Sequence, residues 1–154
     1  MTTFVTVKDI LQRVRTFRQA LKLFYTQLAE TAGKRELQIY LAYMIRHEDN
    51  FEKVLAAHDG KAMNHKLDTW MQYGPEGVDL TLPDLNELNP EDMSVEEAEC
   101  IALASENAIL TYYKEAAKSV QCSDAHDLLV QLAEQQQSDI LILKQASESL
   151  RQNI

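Results

Sequence analysis

With 154 residues, 45% of them apolar and 25% charged, the chain is long enough for one domain with a substantial buried core. Its net charge of −9 excludes nucleic acid as a general partner, because an acidic surface repels phosphate backbones. No apolar run approaches the roughly 18 residues of a membrane span, so no membrane association is expected. The N-terminus lacks the charged start and apolar run of an export signal, and Cys100 and Cys122 match neither a metal spacing nor a disulfide framework; both are expected as reduced thiols in a cytoplasmic protein.

The charge is uneven. Residues 1–60 carry nine Lys/Arg against seven Asp/Glu, and residues 61–154 carry six against seventeen. Glycine and proline are scarce and are missing from residues 1–32 and 91–154, which favours long helices over many short strands. Thr6-Val7-Lys8-Asp9 fits a helix start, with a Thr cap and an acid in the first turn. From there Ile10, Val14, Phe17, Leu21, Phe24 and Leu28 recur at spacings of four and three, which predicts one helix over about 6–31, broken by Gly33. A second helix is predicted from near Lys34 to Asp59-Gly60, with Leu37, Tyr40, Leu41, Met44, Ile45, Phe51, Val54 and Leu55 on its apolar stripe. A connection this short makes the two helices antiparallel neighbours.

Residues 60–93 hold all three prolines and three of the four glycines. So long a connection has a purpose if the second and third helices run parallel, because the chain must then travel back along a helix about 38 Å long. His65–Tyr73 is expected to form a short helix on the way, with Trp70 and Met71 covering the bundle. Ser94-Val95-Glu96-Glu97 is a capping box that opens a third helix running to about Val120. Ser123-Asp124 opens a fourth, with Leu129, Leu132, Leu143 and Leu150 on its stripe. The order is hairpin (6–59), crossover (60–93), hairpin (94–150). It predicts an all-α fold, a four-helix bundle with one long crossover forming a single domain over residues 1–154.

The two hairpins repeat one another. Each carries an aromatic doublet on its first helix, Phe24-Tyr25 and Tyr112-Tyr113, and a polar run on its second, Arg46–Asn50 and Glu134–Asp139. The doublets set an offset of 88 residues between the halves. On these features the chain resembles the ferritin-like superfamily, specifically its rubrerythrin-like members, over about residues 8–58 and 96–148. The resemblance implies a four-helix bundle. In metal-binding members each half gives a Glu about seven residues before the aromatic, and a Glu-x-x-His pair on the second helix. Residues at i and i+3 share a helix face, so both point inward, where carboxylates bridge two cations and imidazoles complete their shells.

Carried over residue by residue, that pattern is met only in part. Glu106 stands seven residues before Tyr113 and lies on the stripe Leu103, Glu106, Leu110, Tyr113, Ala117. At the matching place before Tyr25 stands Arg18, a permanent cation. Counting back from Phe51 gives His47-x-x-Asn50; counting back from Ile140, aligned within one residue of the offset, gives Gln136-x-x-Asp139. A shift of one residue would instead turn Glu48 inward, and periodicity leaves the choice between His47 and Glu48 open.

The leading expectation is a metal-free, non-enzymatic bundle with a degenerate metal site and no cofactor. A buried polar network of Arg18, His47, Asn50, Glu106, Gln136 and Asp139 would replace the metal, with Arg18 paired to Glu106 or Asp139 and no catalytic residue. Such a bundle would act as a structural or protein-interaction module. One alternative is a rubrerythrin-type oxidase or peroxidase using iron or another divalent metal, held by His47, Glu48, Glu106 and Asp139, with Tyr25 or Tyr113 passing electrons. Another is a small-acid binding module anchored by Arg18. Leu23, Ile39, Tyr43, Leu141 and Ile142 lie off the main stripes and suggest a homodimer interface.

Overall fold

A computed structural model of the protein describes residues 5–57, 70–71, 78–120 and 122–153. Four long helices dominate: α1 (Val7–Thr31), α2 (Arg35–Ala57), α3 (Val95–Ser119) and α4 (Ser123–Asn153). The first start lies where the cap residues predict. Thr6 Oγ1 accepts from the Asp9 N–H at 3.1 Å while Asp9 Oδ2 accepts from the Thr6 N–H at 2.9 Å, so two donors that a helix start would orphan are satisfied. Ser94 caps α3 with half of such a pair, its hydroxyl accepting from the Glu97 N–H at 3.2 Å.

Three residues separate α1 from α2 and three separate α3 from α4, so each pair packs as an antiparallel hairpin along most of its length. The hairpins then meet through α2 with α3, α1 with α3, and α2 with α4. The result is an all-α four-helix bundle. Its core is one continuous cluster in which Ile10, Val14, Phe17, Leu21, Phe24 and Leu28 of α1 face Leu37, Leu41 and Met44 of α2, Ile109 and Tyr113 of α3, and Leu129 and Leu143 of α4. The stripe of α3 runs through Ala102, Glu106, Ile109 and Tyr113, with Leu103 and Leu110 only partly covered. Val54, expected on the stripe of α2, is instead exposed.

The connection between hairpins lies against the bundle at several points. Trp70–Met71 form a two-residue strand (β2) antiparallel to Val5–Thr6 (β1), with Val5 opposite Met71 and Thr6 opposite Trp70. These two residues were expected in a short helix over His65–Tyr73; they are extended, and the rest of that segment lies outside the described residues, as do the Asp59-Gly60 stop and Gln121. Further on, Leu80 is buried and its carbonyl accepts from Arg13 Nη2 of α1 at 3.3 Å. A 3₁₀ turn at Leu85–Glu87 is capped by Asp84, and Met93 closes the core before α3.

Gly33 is the tight point of this arrangement. Its N–H donates to the Pro90 carbonyl at 3.3 Å, and a Cβ at this position would collide with the backbone carbonyl of Glu91. The residue is glycine because the α1–α2 turn and the crossover touch backbone to backbone. A flexible side chain could swing away, but a carbonyl cannot. Gly33→Ala is therefore expected to lower stability by about 1–3 kcal/mol, the ordinary cost of overpacking, read as a lower urea midpoint with an unchanged slope.

Candidate functional site

The helices carry four polar side chains into the middle of the core. Arg18 takes a place on the stripe of α1 between Val14 and Leu21. Glu48 continues Leu41 and Met44 on α2, Glu106 lies between Ala102 and Ile109 on α3, and Gln136 lies between Ala133 and Ile140 on α4. None is more than 3% exposed. Each occupies a position where spacings of three and four demand an apolar residue, so each costs desolvation that only a partner can offset.

Arg18 is the hub. Its Nη1 donates to Glu48 Oε1 at 3.1 Å and to Glu106 Oε1 at 3.0 Å. Its Nη2 donates to Glu106 Oε2 at 2.9 Å and to Gln136 Oε1 at 2.9 Å. Glu106 is thus gripped by both terminal nitrogens in the forked geometry that guanidinium and carboxylate share. Gln136 closes the ring, its Nε2 donating to Glu106 Oε2 at 2.7 Å and to the Glu106 backbone carbonyl at 2.9 Å. Beneath the ring, Phe51 offers its face to the guanidinium carbon at 3.7 Å, a cation–π contact on a surface that needs no hydrogen bond. All four helices contribute, so one network fixes both hairpins in register.

One guanidinium faces two carboxylates, and the surplus negative charge falls unequally. Burial alone would favour a neutral Glu106, but the Arg18 charge and the hydrogen bonds from Arg18 and Gln136 outweigh it and hold this carboxyl below its ordinary value. Glu48 is desolvated to a similar degree and has only Arg18 to compensate, so burial wins and pushes it up to about 7. The two carboxylates together hold Arg18 firmly protonated despite its burial. Half-buried His47 is lowered by burial, against the attraction of Glu106. Tyr25 and Tyr113 flank the centre; burial pushes Tyr25 well up and Tyr113 up to about 12.

Both residues left open by periodicity on α2 now have places. Glu48 enters the network, and His47 lies half-buried beside it, with one ligand atom each from His47, Glu48 and Glu106 within 4.8 Å of one another. Arg18 pairs with Glu106, one of its two expected partners; Asp139, the other, stays half-buried, raised by its own desolvation. Asn50, expected in the network, is exposed: it lies two residues beyond the inward Glu48, on the opposite side of α2. The signal that would have corrected this is the offset itself. Kept strictly at 88, it pairs Arg18 with Glu106, Tyr25 with Tyr113, Glu48 with Gln136 and Phe51 with Asp139. Allowing one residue of slip put Phe51 opposite Ile140 and brought Asn50 inward. Phe51 as the platform for Arg18 was missed because it served only as a marker of register.

A helical pair, a crossover and a second helical pair, with polar side chains from all four helices meeting at the core, define the ferritin-like fold. The chain is similar to the crystal structure of a protein from Thermotoga maritima described as a ferritin-like diiron-carboxylate protein, at a TM-score of 0.62 and 19% identity, covering 94% of this chain and 96% of that one. The chain therefore has the ferritin-like fold. No protein-family model and no curated protein matches the sequence.

Two outcomes follow from the charge balance. Arg18→Met strands two buried carboxylates and is expected to cost about 3–5 kcal/mol, much of it recovered in the triple variant with Glu48→Gln and Glu106→Gln; denaturant unfolding of both proteins checks this. The second concerns pH. The folded-state pKa of Glu48, about 7, lies above its ordinary 4.5, so the native state binds the extra proton between these values. The stability linked to it is complete below the lower value and lost as pH rises through the upper one. Glu106 and His47, both held below their ordinary values, slope the other way. The difference between wild type and Glu48→Gln isolates the first effect. Wild type should gain on the variant as pH falls from about 7.5 to about 5, and a flat difference would mean that Glu48 titrates normally.

Proposed function

We propose that this protein is a metal-free, non-enzymatic bundle of the ferritin-like fold, acting as a structural or protein-interaction module. The observation that carries the reading is the Arg18 guanidinium, seated at the centre of the four helices with hydrogen bonds to Glu48, Glu106 and Gln136. The resemblance implies six ligands for two metals; with the buried Glu48 and Gln136 taken as the first members of the pairs on α2 and α4, those places hold Arg18, Glu48, Phe51, Glu106, Gln136 and Asp139. One is a cation, one a phenyl ring and one a neutral amide, and the two buried carboxylates are already engaged by the cation. That set does not fit a two-metal centre. The Thermotoga maritima neighbour is described as a diiron-carboxylate protein, but at 19% identity the likeness speaks for the fold alone.

The oxidase reading draws on the grouping of His47, Glu48 and Glu106, and would require a divalent ion to share both carboxylates with a guanidinium. The small-acid reading requires Arg18 to receive a carboxylate, yet both terminal nitrogens already serve protein acceptors.

An interaction role is supported by Leu23, Leu141 and Ile142, each more than half exposed; Ile39 is 38% exposed and Tyr43 is half-buried. A homodimer through such residues is part of the proposal. So is a reducing compartment such as the cytoplasm, given two exposed free thiols; among the described residues no helix is long and apolar enough to cross a membrane.

Elemental analysis of protein purified without chelator is the direct test. Far less than one transition-metal ion per chain, and a thermal midpoint that EDTA does not move, are expected. A stoichiometric metal whose removal lowers the midpoint would overturn the metal-free reading. Light scattering on the same sample reads the oligomer, and a monomer at every concentration would remove the dimer.

A further inference from the structure

The centre has the dimensions of a seat for one ion. Ligand atoms of His47, Glu48 and Glu106 lie within 4.8 Å of one another. Two donors bound to the same divalent ion at about 2.0–2.4 Å stand at most some 4–5 Å apart, so this spread suits a single ion. Among the described residues His47 Nε2 is buried without a hydrogen-bond partner, as is Nε of Arg18 itself. A cation is already present: the guanidinium that Glu48 and Glu106 share. Gln136 Oε1 points at it and would be freed by its removal.

We infer that Arg18 is an internal cation plugging a cage built by His47, Glu48 and Glu106, and that the cage binds a divalent metal ion once the guanidinium is taken away. The charge argument is direct. With Arg18 gone, two carboxylates remain buried at close range, and each raises the cost of ionising the other. They can be relieved by protons or by a cation, and an ion supplies two positive charges where the guanidinium supplied one. His47 and Gln136 Oε1 stand ready as neutral donors. The truncated side chain also opens space at that spot. This cage is not the six-ligand set that the resemblance implies. It holds one ion, and it uses His47, which stands outside the Glu-x-x-His register at the strict offset.

The inference rests on the metal-free reading of the wild-type centre, and the experiment separates the two. Full-length wild type, Arg18→Ala and Arg18→Ala/Glu106→Gln are stripped with chelator, dialysed and titrated with Co²⁺, recording the thermal midpoint and the visible absorption. Arg18→Ala is expected to gain about 5 °C or more at a hundredfold excess over its Kd, with cobalt ligand-field bands. Wild type should show neither, and the double variant should lose both. If Arg18→Ala is unfolded without metal, recovery of its helical circular dichroism on adding Co²⁺ becomes the readout, with Arg18→Gln as a second, less truncated variant. No response in either variant, or a response that survives Glu106→Gln, overturns the cage. A response in wild type equal to that of Arg18→Ala overturns the plug. Metal found in wild type as purified overturns the metal-free reading instead, and does so before any titration.

Discussion

A guanidinium buried among four helices has to be satisfied, and the rest of the centre follows from that constraint. A lone buried cation would cost several kcal/mol. Arg18 avoids this with acceptors from three helices and an aromatic face from the second. Each partner is placed by ordinary helical spacing, with no loop and no irregular backbone. The network therefore demands a particular register of all four helices at once, because sliding any of them by a turn would leave a charge without its partner.

The unequal treatment of the two glutamates shows how fine the balance is. They contact the same cation at similar distances and are buried to a similar extent. What separates them is that Glu106 receives both terminal nitrogens of Arg18 and a donor from Gln136, whereas Glu48 receives Nη1 alone. At the strict offset Gln136 occupies the place of Glu48 in the other half. A neutral amide there spares the core a third carboxylate and supplies both a donor and an acceptor. The internal symmetry is thus kept in position and broken in charge: Arg18 opposite Glu106, and Glu48 opposite Gln136.

Much of this was legible in the chain. Helix starts at Thr6 and Ser94 could be read from capping residues, and the hairpin–crossover–hairpin order from where glycine and proline fall. The pairing of Arg18 with Glu106 followed from the aromatic doublets. Less legible were the residues that share a face by a margin of one position. His47 and Glu48 differ by 100° around the helix, and both fit a wide apolar stripe; only the partner helices decide between them. Asn50 was misplaced for the same reason. Phe51 gave no sign of its role, since a phenylalanine on a core stripe packs whether or not a cation lies over it. Trp70 and Met71 form a strand because β1 offers them backbone partners, which no local periodicity reveals.

The crossover touches α1 at both of its ends. Its early part pairs with Val5–Thr6, immediately ahead of the helix, and its late part receives the Gly33 N–H just beyond it. A helix ordinarily frays from its termini inward, each end independently of the other. Here both termini are tied by backbone hydrogen bonds to one connecting segment, so fraying at either end must break a contact that the helix alone does not provide.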